Sequence, residues 1–329
     1  MAMSRRTFLA ATAAAAISLP AFSSAKPQSA KASIAITLDL EMARNFPTWE
    51  TTHWDYEKGN LNDATKKYAV EAARRVKAHG GVIHFFLVAS VLEQENIDWL
   101  KELVAEGHLI GNHTYDHVYV RATEPADIQY KFKRAPWLVQ GKPVPQVIAE
   151  NVQLATAAIK TRLGIDPAGF RTPGGFADGL TDRPDVRKML LDQGFKWVSS
   201  RYPAHAYGEA GKPVTEAVMA DILRAQRDAQ PFVYPDGLIE IPMSPISDIG
   251  AFRNGRWKLD EFLEITRRCV EQSIADGSVF DFLSHPAVLY AMDPQFRAID
   301  LICDLTTKAG DRAKLVDLST VASRMHPPK

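Results

Sequence analysis

Cysteine is almost missing from this chain, with only Cys269 and Cys303 among 329 residues, both far from the N-terminus. The two allow at most one disulfide and equally well two buried free thiols, and they leave no lipid acceptor behind an N-terminal leader. Net charge is missing as well. Lysine plus arginine equals aspartate plus glutamate at 39 each, and loss of a leader containing Arg5 and Arg6 leaves 37 basic against 39 acidic side chains. So even a balance gives no electrostatic case for nucleic acid as a partner. Internal repeats are absent, as is any low-complexity tract beyond the leader. What is present is a folded composition, 46% hydrophobic and 24% charged, with apolar material for a large core. The length fits one barrel or two ordinary domains.

The N-terminus departs from this evenness. Ser4-Arg5-Arg6-Thr7-Phe8-Leu9 precedes an alanine-rich apolar stretch ending near Leu19, and Ser23-Ser24-Ala25 supplies small residues for cleavage. That order reads as a signal peptide over residues 1–25, followed by a linker over 26–32. The paired arginines resemble a twin-arginine export signal, which makes the export machinery a partner and the periplasm or exterior the destination. The apolar stretch is shorter than the ~20 residues of a spanning helix, so no permanent membrane anchor is expected.

From Ser33 onward, short β-rich runs alternate with segments of helical period, the pattern of βα units around a parallel sheet. Strands are expected at Ser33–Leu38, Gly81–Val88, His108–Gly111, Ala168–Phe170, Lys196–Ser199, Leu238–Ile241 and Val279–Leu283. Helices are expected at Asn62–His79, Ile97–Glu106, Val147–Leu163, Pro184–Gln193, Leu259–Ala275 and Pro294–Lys308. The expectation is one α/β barrel over residues 33–329. Two stretches, Arg44–Asn60 and Val118–Gln146, interrupt the pattern with Trp49, Trp54, Tyr56 and Trp137. They read as loops over the mouth of the site.

Every chemically promising residue falls at or just past the C-terminal end of an expected strand, where barrel enzymes build their sites. His113-Thr114-Tyr115-Asp116-His117 places two imidazoles four residues apart; on one helical turn they would share a metal. Such a pair alone is a weak signal. Thr37-Leu38-Asp39-Leu40-Glu41 adds two carboxylates on one strand face, a costly arrangement unless a cation or proton is shared. Phe170-Arg171-Thr172-Pro173-Gly174-Gly175 brings a permanent cation suited to orienting Asp39 and a glycine N–H, that of Gly174, suited to an oxyanion. Phe282-Leu283-Ser284-His285-Pro286 supplies a strand-end histidine able to donate a proton.

Together these segments resemble the polysaccharide deacetylase family, the group with the NodB homology domain, over Ser33–Leu318. Gly107 to His117 is similar to the family's histidine motif and Phe170 to Gly175 to its arginine-proline-glycine motif. The resemblance implies a distorted (β/α) barrel in a single domain, a divalent metal, and hydrolysis of an N-acyl group. It implies Glu41, His113 and His117 as metal ligands, Asp39 as base and His285 as acid. One departure stands out: most members carry adjacent aspartates after the first strand, whereas Leu40 follows Asp39 here. A subgroup resembling peptidoglycan deacetylases and allantoinase-like amidohydrolases spaces its acids as Asp-X-acid, which Asp39-Leu40-Glu41 fits. Gly194 to Ser200 and Gly237 to Pro242 are similar to that subgroup too. The aspartate that usually orients the catalytic histidine is absent near Trp197, leaving Asp248 and Asp281 as substitutes. Trp54, Trp137 and Asp248 are also candidates for substrate contact. Zinc suits the ligand set best, and cobalt, nickel or iron would use the same donors. Three functions follow: a deacetylase of N-acetylated sugars in a glycan, an amidase for a small N-acylated molecule, or an inactive glycan-binding module whose metal was lost through Leu40.

Overall fold

The computed structural model describes residues 31–41 and 58–325. Its strands are β1 (Ala32–Leu40), β2 (Ile83–Leu87), β3 (Leu109–Asn112), β4 (Phe170–Phe176), β5 (Trp197–Arg201), β6 (Phe232–Val233), β7 (Ile239–Glu240), β8 (Val279–Ser284) and β9 (Ala313–Leu315). They form one sheet in the order β6-β7-β5-β4-β3-β2-β1-β8, with β9 on the first residues of β1. The β6–β7 pair is antiparallel, and the other pairings are parallel. The helices are α1 (Asp63–Ala78), α2 (Asp98–Ala105), α3 (Pro125–Ile128), α4 (Tyr130–Arg134), α5 (Val144–Leu163), α6 (Pro184–Asp192), α7 (Glu216–Asp228), α8 (Leu259–Asp276), α9 (Pro286–Met292), α10 (Arg297–Ala309) and α11 (Leu318–Ser323). The curled sheet with its surrounding helices is a distorted (β/α) barrel in a single domain, as expected. The distortion lies at the seam. There, the segment after β7 meets β8 through Ser244 N–H to Asp281 O at 3.1 Å and Asp281 N–H to Ser244 Oγ at 2.9 Å, not through a strand ladder.

The period of two along β1 decides what faces where. Ile34, Ile36, Leu38 and Leu40 point outward into the main core shared with α1, α8, α9 and α10. Ala35 points into the barrel, where Phe86, Trp197, Ile241 and α11 residues Leu318 and Val321 fill the lower interior. Thr37 and Asp39 continue that inner row, and Glu41 extends it past the strand end. Leu40 therefore belongs to the helix-facing row, and its apolar side chain is a core requirement.

Local signals explain most helix boundaries. Asn62 caps α1 by accepting from Thr65 N–H at 2.9 Å, and Gly164 ends α5 in the left-handed region at φ 71°. The α5 helix begins three residues before the expected Val147 because Pro145 is compatible with a first turn. The expected helix from Pro294 starts at Arg297 instead, where the Asp293 carboxylate accepts from Arg297 N–H and Ala298 N–H. The stretch from Val118 to Gln146, expected as a plain loop, holds α3, α4 and a 3-10 turn at Pro136–Leu138. Cys269 and Cys303 are free, buried thiols, and burial pushes both up to about 12. Among the described residues, no helix is long and apolar enough to cross a membrane.

Candidate active site

Arg171, on β4, is wholly buried inside the barrel and ties several strands together. Its Nη1 donates to Asp39 Oδ1 at 2.9 Å and to Thr37 Oγ1 at 2.8 Å on β1. Its Nη2 donates to Asp281 Oδ2 at 2.6 Å on β8 and, with Nε, reaches Ser199 Oγ on β5. The guanidinium also sits 4.1 Å from the centre of the Phe86 ring on β2. A buried cation is tolerable only when paired and hydrogen-bonded throughout, and here two carboxylates and two hydroxyls meet that condition. Arg171 does not line the cavity; it acts through Asp39. Burial pushes the Asp281 carboxyl up to about 6 in spite of the neighbouring guanidinium.

Glu41 has a different set of partners. Its Oε2 lies 2.8 Å from His113 Nε2 and in contact with His117 Nε2, while Oε1 is 3.1 Å from His285 Nε2 and accepts from Lys58 Nζ. Burial by itself would raise the Glu41 carboxyl, but His117, Lys58 and a hydrogen bond from His113 hold it well below the usual carboxylate range. Glu41, His113 and His117 form the candidate metal cluster, with ligand atoms all within 4.8 Å of one another. The donor set fits a borderline cation such as zinc. His113 fits as a ligand too: Nδ1–H donates to Arg171 O at 2.9 Å, so that a cation replacing the proton shared between Nε2 and Glu41 would meet the Nε2 lone pair.

The imidazole pair is not on a helical turn, contrary to expectation. It lies on a loop after β3 in which Thr114 and His117 both take a φ of 61°, a conformation that non-glycine residues adopt only when their surroundings fix it. Asn112 Oδ1 accepts from Thr114 N–H, Asn151 Oδ1 accepts from Tyr115 N–H and Asp116 N–H, and Thr114 Oγ1 accepts from Val118 N–H. These bonds replace the missing helical ones and aim both rings at Glu41.

His285, directly after β8, completes the cluster. Its Nδ1 is 2.8 Å from Asp248 Oδ1, and its backbone N–H donates to Asp248 Oδ2 at 2.6 Å. Burial disfavours the imidazolium, yet Asp248 and Glu41 push this histidine up to about 10. Of the two aspartates left open by the sequence, Asp248 therefore orients His285, and Asp281 serves Arg171. Asp248 is wholly buried and does not contact the cavity, so the expectation of substrate contact does not hold for it.

The described residues enclose a cavity of about 270 Å³, lined by Asp39, Glu41, His113, His117, Gly174 and His285. Gly174 has a φ of 75° and open space where a side chain would be, leaving its backbone accessible to a bound group. Trp137 lies elsewhere: it is 68% exposed on its 3-10 turn and does not line the cavity. Trp54, with most of the aromatic loop before Asn60, lies outside the described residues. Lys58, which sequence reasoning missed, lines the cavity with its side chain almost fully buried. The Lys58–Gly59 turn is tied to the strand end by Gly59 N–H to Glu41 O at 3.1 Å, and a Cβ on Gly59 would come within 2.1 Å of Ser90 Oγ.

The strand ends of this mostly parallel barrel converge on a carboxylate, two imidazoles, a second carboxylate held by arginine, and an aspartate-supported histidine, an arrangement suited to hydrolytic chemistry. Residues 60–192 match the polysaccharide deacetylase family model. Among solved structures, the chain is similar to a protein from Mycobacterium smegmatis described as a polysaccharide deacetylase, at 14% identity and a TM-score of 0.60 over 97% of each chain. It is similar to another so described from Pseudomonas aeruginosa PAO1, at 14% identity and 0.61, over 90% of this chain and 92% of that one. Puue allantoinase is similar at 15% identity and 0.61, over 92% and 94%. No curated protein sequence matches the chain. The structural likenesses establish the fold. The family match, with the strand-end motifs, bears out the resemblance to polysaccharide deacetylases and with it a deacetylase-like hydrolase of carbon–nitrogen bonds.

Proposed function

We propose that this chain is a metal-dependent amide hydrolase that removes acetyl groups from N-acetylated sugars of a glycan. The observation that carries this reading is the sorting of the two carboxylates. Glu41 faces the imidazole pair, whereas Asp39 is held by Arg171, with its Oδ2 3.8 Å from His113 Nε2. This sorting supports reading Glu41 as a ligand and Asp39 as a base. Zinc, or cobalt, nickel or iron on the same donors, supplies Lewis acidity toward the acyl carbonyl and the attacking water when bound by Glu41, His113 and His117.

The chain's own groups do the rest. Asp39, with one oxygen fixed by Arg171, takes the proton from the attacking water. The Gly174 N–H donates to the developing oxyanion. His285, kept in orientation by Asp248 and favoured in its protonated form, passes a proton to the leaving amine so that the C–N bond breaks toward a neutral product. The test is acetate release from N-acetylglucosamine oligomers by protein loaded with zinc, set against the same protein treated with a chelator. Zinc-dependent release is expected, and equal release from both samples would contradict the metal requirement.

The arginine pair at Arg5 and Arg6 supports export of an already folded precursor through the twin-arginine route. Arg5→Lys with Arg6→Lys should leave active enzyme in the cytoplasm, and unchanged extracytoplasmic activity would point to another route.

A further inference from the structure

The aspartate that orients His285 needs an anchor of its own. Asp248 stands in the segment after β7, where the chain meets β8 without a strand ladder. Met243 N–H donates to Arg201 O at 2.9 Å and Ser244 N–H to Asp281 O at 3.1 Å. Beyond them, Ser247 N–H donates to the hydroxyl of Tyr202 at 3.0 Å. That phenol takes the place of a ladder carbonyl. We infer that Tyr202 is a positioning residue for the proposed acid: through Ser247 it fixes Asp248, and through Asp248 the ring of His285. The inference rests on the amide-hydrolase reading and gives a role to a side chain that the reading leaves unused.

Tyr202 is built firmly into the sheet end from which it reaches. It follows β5 directly, and its backbone N–H donates to Phe176 O at 2.8 Å. Gly175 lets it lie close against β4, since a Cβ there would come within 2.5 Å of Tyr202 Cβ. Its hydroxyl also lies 3.4 Å from Ser247 Oγ. Burial raises the phenol well above its ordinary value, so the hydroxyl stays neutral and accepts the Ser247 bond without bringing a charge into the wall.

From Ser247 the contacts run straight to the imidazole. Ser247 O accepts from Ala251 N–H at 2.9 Å and Ser247 Oγ from Gly250 N–H at 3.2 Å, which opens the π-helical turn Ile249–Asn254. Wide turns of this kind recur at functional sites. Asp248, between Ser247 and that turn, accepts from Ile249 N–H at 2.8 Å and holds His285 through both its oxygens. A shift of Ser247 therefore carries Asp248 with it. In Tyr202→Phe the ring and its packing stay, but the Ser247 N–H loses its acceptor and must move to find another. Displacement of Asp248 turns the imidazole away from the leaving amine, and a misplacement of about 1 Å costs on the order of 100-fold in rate.

The test is a double-mutant cycle on the zinc-loaded full chain, read as acetate release from N-acetylglucosamine oligomers. Tyr202→Phe should lower kcat by about 10- to 100-fold and leave KM within about twofold. Added to His285→Ala, the same substitution should cost less than about twofold, because the two residues act as a unit. Three results would overturn the inference: no loss in the single variant, a loss undiminished in the His285→Ala background, or a raised KM with kcat kept. The second would make Tyr202 a general scaffold residue and the third a substrate contact. If the wild type releases no acetate, the deacetylase reading fails, and NMR of the same zinc-loaded samples decides the positioning role separately. The imidazole Cε1–H signal of His285, assigned by its absence from His285→Ala, should shift in Tyr202→Phe. An unmoved signal would refute the role.

Discussion

Asp39 and Glu41 stand two positions apart, yet their surroundings separate them: one meets a guanidinium, the other imidazoles and an ammonium. The strand period was legible in the sequence, and it also explains Leu40, whose place in the outward row makes an apolar side chain necessary. Lys58 was not legible, because a single lysine at the end of an aromatic loop has no spacing signal and its burial depends on contacts distant in sequence. Its ammonium occupies Oε1 of a candidate ligand, where it opposes a nearby dication. Lys58→Met should therefore bind zinc about tenfold more tightly in competition with a chelating dye. Equal or weaker binding would mean that the lysine supports the cation site. His285→Ala tests the acid. On two substrates sharing an acyl group, the variant should lose more with the less readily expelled amine, within the ~100 to 10,000-fold range of a lost general acid. A small, equal loss with both would make His285 a packing or positioning residue.

At the scale of elements, the strands that position the site were recognisable from their apolar runs, and the helices from their period and end signals. Short elements escaped: β9 spans three residues, α9 begins at Pro286 directly after the strand-end histidine, and α7 was not assigned. The histidine loop escaped for a different reason. Four-residue spacing suits a helix, but here Asn112 and Asn151 satisfy the backbone N–H groups that a helix would have paired, and they come from β3 and α5. The interior of β2 carries a measurable consequence. His84 is fully buried between Phe86 and Trp197, with Nε2 on Ala168 O at 2.8 Å, and burial lowers it to about 4. The unfolded chain then binds more protons than the native one between about pH 6.5 and 4. The contribution is complete above that window and lost as pH falls through it, amounting to about 3 kcal/mol at most. Denaturant unfolding from pH 7 to 4 should show a flatter pH dependence for His84→Phe than for wild type, and parallel curves would contradict this. Comparing the two isolates His84 from Asp281, whose raised value has the opposite sign: its contribution is present at low pH and lost as pH rises through about 6.

For the whole molecule, the barrel divides into a packed lower interior and a polar upper one, with Arg171 joining the strands between them. The sequence made the barrel legible through alternating strands and helices, but not its seam, where Ser244 and Asp281 meet without a ladder. Neither did it reveal the two short helices α3 and α4, since the segment forming them reads as a loop until their small core is seen. The proposed mechanism makes a single claim: a cation held by Glu41, His113 and His117 works beside a base that is not its ligand. The most direct test measures bound zinc and acetate release on the same purified samples of wild type, Glu41→Ala and Asp39→Asn. The account predicts that Glu41→Ala loses the metal, whereas Asp39→Asn retains it and falls in turnover by about 1,000-fold or more. Equal loss of metal in both variants would contradict it, showing that the two carboxylates are both ligands or have exchanged roles.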